Sequence, residues 1–166
     1  MQDAWQKDDK TLGKDGQVYR RVKRVPAHYV HPDPVTGAPT VGNAAFRYEG
    51  DGMSVSLGEL MAALEVETND LCNWAEYSLV RFLVKDVRFL KGGVVASVDT
   101  EDKNPKRGES HGLVRTANRP PDKATWGEFR DGLRRILTVR VGKDSEWVAT
   151  SSSVLPSSVQ TRKVES

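Results

Sequence analysis

A single cysteine, Cys72, stands in a chain of 166 residues, so no disulfide can close within it, and the clustered Cys/His spacings that hold structural zinc are missing. Long apolar runs are missing too. Stretches such as Leu79-Val80 and Phe82-Leu83-Val84 are broken by Arg81 and Lys85, far short of the roughly 18 consecutive apolar residues of a membrane span. The opening Met1-Gln2-Asp3-Ala4-Trp5-Gln6-Lys7 has no apolar h-region or small-residue cleavage site, so secretion by a conventional signal is not expected. There is no glycine-rich nucleotide loop, no Gly-x-Ser-x-Gly nucleophile elbow and no repeat with a period of 20 to 50 residues. These absences lead to the expectation of a reducing, cytoplasmic setting, with no membrane association and no metal or cofactor.

What is present is an uneven distribution of charge. Residues 103–143 carry eleven Lys/Arg against four Asp/Glu, while residues 44–78 carry one Arg against seven acids, and the two segments nearly cancel in a net charge of +2. Asymmetry of this kind says more about partners than the total does. The basic segment, through Lys106 and Arg107 and then Arg130, Arg134 and Arg135, is the expected anion-binding surface, because clustered cations recruit phosphates or carboxylates. Arg130 and Arg134 are four apart and share a helical face, with Arg135 alongside.

With 37% hydrophobic residues, the chain is long enough for one core and one domain. Residues 1–16 are polar and glycine-bracketed and read as a flexible start, residues 17–147 as an α+β core domain, and the Ser-rich residues 148–166 as a disordered tail. Within the core, residues 17–25 alternate in the manner of a strand, and prolines 26, 32, 34 and 39 impose a long loop. The Asp51-Gly52 pair predicts a hairpin between residues 44–48 and 53–56. Ser56-Leu57-Gly58-Glu59 and Thr125-Trp126-Gly127-Glu128 both have capping-box spacing and predict helices, the second burying Trp126, Phe129, Leu133 and Ile136. Asn69 is placed to cap a further short helix, and residues 79–90 fit a strand pair and a helix equally well. Val94-Val95-Ala96-Ser97-Val98, His111-Gly112-Leu113-Val114-Arg115 and residues 138–141 read as strands, which gives a small, mostly antiparallel sheet with two or three short helices.

The order Tyr19-Arg20-Arg21, Ala45-Phe46, Met53-Ser54-Val55 and His111-Gly112-Leu113-Val114 resembles a group of small uncharacterised bacterial proteins over about residues 17 to 140. Those proteins carry Ala where this chain has Gly112, and the resemblance brings no assigned activity. It draws attention to Arg20, Ser54 and His111. An anion-binding strand arginine, a strand serine and a proton-transferring histidine would make a small site for a phosphate-containing substrate such as a nucleotide or an RNA end. Each has a plainer structural explanation as a strand arginine, a turn serine and a hydrogen-bonded histidine. Tyr-Arg followed by Ser54-Val55-Ser56 is also faintly similar to the start of ADP-ribosyltransferases, although Glu65-Val66-Glu67 follows too soon after the serines to match their glutamate motif.

His28, His31 and Asp33 have a spacing that could bind a divalent metal, but no second pair of ligands accompanies them, so they are read as loop residues. The leading expectation is a cytoplasmic bacterial accessory protein whose basic surface engages an anionic partner, an acidic protein or nucleic acid. The alternative is a small enzyme using Arg20, Ser54 and His111.

Overall fold

The computed structural model describes residues 6–25, 31, 32, 35, 37–116 and 121–150. Strands β1 (Gln17–Lys23), β4 (Met53–Leu57), β5 (Tyr77–Leu83), β6 (Gly93–Ala96), β7 (His111–Arg115), β8 (Thr138–Arg140) and β9 (Val148–Ala149) form one sheet in the order β6-β7-β4-β1-β5-β8-β9, while β2 (His31–Pro32) and β3 (Pro39–Thr40) pair apart from it. Every pairing is antiparallel. The helices among the described residues are α1 (Gly58–Ala63), α2 (Val84–Phe89), α3 (Pro105–Glu109) and α4 (Lys123–Arg134). The fold is α+β, as the sequence pattern predicts.

Successive residues of a strand face opposite sides of the sheet, so the alternation in β1 separates two environments. Val18 and Val22 join Met53, Val55 and Leu57 of β4 and Val80 and Phe82 of β5 on the main core side, which α4 covers with Trp126, Phe129 and Leu133. Burying side chains of this size contributes about 1.5–3 kcal/mol each, so this layer dominates stability. The Trp126 indole N–H, which cannot be left unpartnered here, donates to the Phe46 carbonyl at 2.9 Å. The second side carries a smaller cluster, Met61, Val66, Leu71 and Leu79, with Tyr19, Cys72, Trp74 and Trp147 packed against it.

Several local expectations fail for identifiable reasons. Ser56 does not cap α1, because it is itself a strand residue and Leu57 occupies the cap position. Helix α4 starts earlier than Thr125: the Asp122 carboxylate accepts from Thr125 N at 2.7 Å and makes the cap. Ile136 lies past the end of α4 and is exposed. The Glu49–Gly52 turn forms, yet residues 44–48 supply no second hairpin strand; Asn43–Ala45 coil into a 3-10 turn and β4 pairs with β1 and β7 instead. Thr68–Asp70 is a 3-10 turn where a short helix is expected after Asn69. Residues 79–90 resolve as the end of β5 followed directly by α2.

The start of the chain is held in place from residue 7 onward. Asp9 N donates to Val94 O at 2.8 Å and Val94 N to Asp8 Oδ1 at 2.9 Å, which lays this segment along the free edge of β6. Arg88 clamps it, pairing with Asp8 at 3.1 Å and donating to the Asp9 and Leu12 carbonyls at 3.0 and 2.9 Å. Gly93 permits the approach, since a Cβ there would come within 2.2 Å of the Lys7 carbonyl oxygen. The expected flexible start therefore does not extend to residue 16. At the other end, β9 and buried Thr150 carry the ordered domain beyond residue 147, and the remainder of the expected tail lies outside the described residues.

Candidate functional site

On the second side of the sheet, strand register assembles a row of polar side chains from residues far apart in sequence. Tyr19 of β1 is opposite Ser56 of β4, and Ser56 is opposite His111 of β7. Two residues along, Ser54 and Arg21 extend the row, and Lys23 pairs with Tyr77 of β5. The loop after β6 and helix α3 flank this surface, forming a half-open cavity of about 270 Å³ bordered by these groups and by Asp99, Asp102 and Arg107.

The roof is fixed by its own bonds. Arg107 makes a two-pronged ion pair with Asp102, at 2.7 Å from Nε and 2.6 Å from Nη2, and donates to the Leu71 carbonyl at 3.0 Å. The Arg107 hydrogen bonds hold the Asp102 carboxyl below its ordinary range. Asn104 caps α3 and donates to the Asp70 carbonyl at 2.7 Å, while Lys106 pairs with the Asp70 carboxylate at 3.3 Å.

Arg21 differs from Arg107. Its guanidinium lies over the Tyr77 ring, 4.4 Å from the centroid, and among the described residues it has neither an ion pair nor a hydrogen bond. Burial, and then the like charge of Arg107, lowers its pKa, an effect that the Tyr77 ring and the nearby Asp102 carboxylate offset only in part. His111 donates from Nδ1 to the Ser97 carbonyl at 2.5 Å. With the proton on Nδ1, Nε2 is the ring nitrogen left to a ligand. The nearby Cys72 thiol is pushed up to about 11 by burial, which outweighs the surrounding arginines and keeps it a protonated packing group at neutral pH.

Ser54 and His111, two of the residues singled out in the sequence, border this cavity together. Arg20 borders it too, but its guanidinium is engaged elsewhere: Nε donates to Ala45 O and Nη1 to Ser54 O, both at 2.7 Å. It shares strand parity with Val18 and Val22, and so its charge goes to the main core side, where burial lowers its pKa to about 10. The β1–β4 ladder stops at Tyr19 and Ser56, and Arg20 supplies the donor that the Ser54 carbonyl would otherwise lack. Arg20, Ser54 and His111 thus border one cavity, with the Arg20 guanidinium bonded to the Ala45 and Ser54 carbonyls. Arg21 presents the cation instead, and the apolar Val18 and Val22 on either side of Arg20 were the sequence signal for that.

The five proposed anion-binding residues do not form one face. Lys106 and Arg107 belong to α3 on the cavity side, whereas Arg130, Arg134 and Arg135 belong to the end of α4, which packs on the other side of the sheet. Most are already engaged: Arg130 pairs with Asp131 at 3.3 Å, and Arg134 donates to the Val41 carbonyl at 3.1 Å and to Asn43 Oδ1 at 2.7 Å. Arg135 is exposed. Glu65 and Glu67 are exposed and do not border the cavity; Glu67 N instead donates to the Asp70 carboxylate at 2.8 Å at the start of the 3-10 turn. The His28, His31 and Asp33 set falls outside the residues whose side chains are described, and among the described residues no group of three or more His, Cys, Asp or Glu could hold a metal. No described helix is long and apolar enough to cross a membrane. Comparison with protein-family models, curated proteins and solved structures found no match to the chain.

Proposed function

We propose that this protein is a binding domain for a small anionic ligand, held in the cavity between the sheet and α3. The observation that carries the reading is Arg21: a half-buried guanidinium, stacked on Tyr77 and lacking an acidic partner among the described residues, facing a cavity that also offers the hydroxyls of Ser54 and Ser56 and the imidazole of His111. A half-buried cation only partly offset by the Tyr77 ring and the Asp102 carboxylate is costly, and an incoming anion recovers that cost. The anionic-partner expectation thus moves from an exposed basic face to a half-open cleft. The cavity volume of about 270 Å³ is just under the roughly 300–1,000 Å³ typical of drug-sized ligands, which favours a small molecule over a macromolecular surface. The cytoplasm is the compartment we assign, in keeping with one half-buried, protonated thiol and no disulfide. The enzymatic alternative on a phosphate-containing substrate now depends on Ser54 and His111 without Arg20.

Calorimetric titration with inorganic phosphate, sulfate and citrate tests the reading. At least one should bind, Arg21→Met should abolish that binding, and charge reversal at Arg130, Arg134 and Arg135 together should leave it unchanged. Binding that survives Arg21→Met, or no binding by any of the three anions, would reject the site.

A further inference from the structure

Building on that reading, we infer that the ligand is a small hydroxylated phosphate monoester, of the sugar-phosphate class. Three observations separate it from other anions. The first is the arrangement of donors. Arg21 comes from β1 and Ser54 and Ser56 from β4, so donors approach from two adjacent strands rather than from one fork. A planar carboxylate is satisfied by a single guanidinium fork, whereas the three terminal oxygens of a phosphoryl group call for donors in several directions. A phosphate monoester also brings about −1.5 to −2 charges at neutral pH, enough to balance Arg21 and Lys23 together.

The second observation is length. Tyr19 and Lys23 both border the cavity and are four residues apart on one strand, which is about 13 Å at the strand rise. A lone phosphate satisfied by one donor cluster cannot reach both ends, so the ligand extends beyond its phosphoryl group.

The third is Asp99. The cavity is not uniformly cationic, because Asp99 and Asp102 both border it. Both oxygens of Asp102 are taken by Arg107. Asp99 accepts one bond, from Glu101 N to Oδ1 at 3.0 Å, and has no cation paired with it among the described residues. A carboxylate in that position repels a second carboxylate and accepts from a hydroxyl.

The test is titration of the full chain with ribose 5-phosphate, glucose 6-phosphate, inorganic phosphate, ribose and citrate. At least one sugar phosphate should bind ten-fold or more tighter than inorganic phosphate, and ribose should not bind detectably. Asp99→Asn keeps the Oδ1 acceptor for Glu101 N and should remove most of that ten-fold advantage while leaving inorganic phosphate affinity unchanged. Arg21→Lys keeps the charge without the fork and should weaken both sugar phosphates and inorganic phosphate; circular dichroism of each variant establishes that it is folded. Inorganic phosphate binding as tightly as both sugar phosphates, or citrate binding more tightly than either, would overturn the sugar-phosphate assignment and leave the anion site standing. Failure of every anion to bind would remove both.

Discussion

Gly112 offers a sharp test of how this sheet is packed. It lies at the centre of β7, paired with Val55 on one side and Ala96 on the other. A Cβ at this position would stand 2.7 Å from both Cγ and Cδ1 of Leu57 and 2.8 Å from the Val95 carbonyl oxygen. Leu57 is 2% exposed, so it has no solvent to swing into, and the Val95 oxygen is backbone of a paired strand. Overpacking of this kind costs about 1–3 kcal/mol. Restricting the unfolded chain by Gly→Ala returns about 0.4–1 kcal/mol. The net expectation for Gly112→Ala is a loss of about 1–2 kcal/mol, which in a chain of this length lowers Tm by about 2–8 °C. Scanning calorimetry and urea unfolding would measure it, with an unchanged m-value showing that the native state stays compact. Leu57→Ala alone should cost about 2–5 kcal/mol by leaving a cavity. In the Gly112→Ala background it should cost at least about 0.5 kcal/mol less, because the new methyl then fills part of the space. A Gly112→Ala protein with an unchanged or higher Tm would refute the contact.

Three further outcomes follow from the same structure. Leu133→Ala, at a fully buried position under the sheet, should cost about 2–5 kcal/mol, whereas Ile136→Ala beyond the helix end should cost less than about 1 kcal/mol; equal losses in urea unfolding would contradict the assigned end of α4. Arg20→Met removes the donors to the Ala45 and Ser54 carbonyls and should destabilise by about 1.5–3 kcal/mol without abolishing ligand binding; a folded variant that no longer binds would return Arg20 to the site. Cys72 titrates near about 8.5 in an unfolded chain and at about 11 in the fold, so the native state holds its proton longer and stability should fall as pH rises between those values. Cys72→Ala should flatten that alkaline slope in urea titrations, and thiol labelling of the native protein at pH 8 should be slow until urea is added; rapid native labelling would show an accessible thiolate.

The sequence disclosed elements whose signal is local. β1, β6 and β7 declare themselves by β-branched residues and alternation, and α4 by the spacing of Trp126, Phe129 and Leu133. Motifs that two structures can share were misleading: Ser-x-x-Glu at Ser56 fits a helix cap, but Ser56 is committed to pairing with Tyr19 and His111. The cavity was only half legible. Ser54 and His111 were identified, yet Arg21, Ser56 and Asp99 were not, because their meeting depends on β4 lying between β1 and β7. That order is set by burial of Val18, Val55 and Val114 on the far side of the sheet, a tertiary outcome that no local period encodes.

The two ends of the sheet face the outside world on different terms. An unpaired edge is a template onto which a second chain can add a strand. At β6 that template is already occupied by residues 8 and 9 of the same molecule, locked by Arg88. Residues 8 and 9 therefore leave the Val94 edge positions with no free backbone donor or acceptor to offer a second chain. A change at Asp8 would reach both the sheet edge and the core, because it releases the Val94 amide and leaves Arg88 without its carboxylate partner.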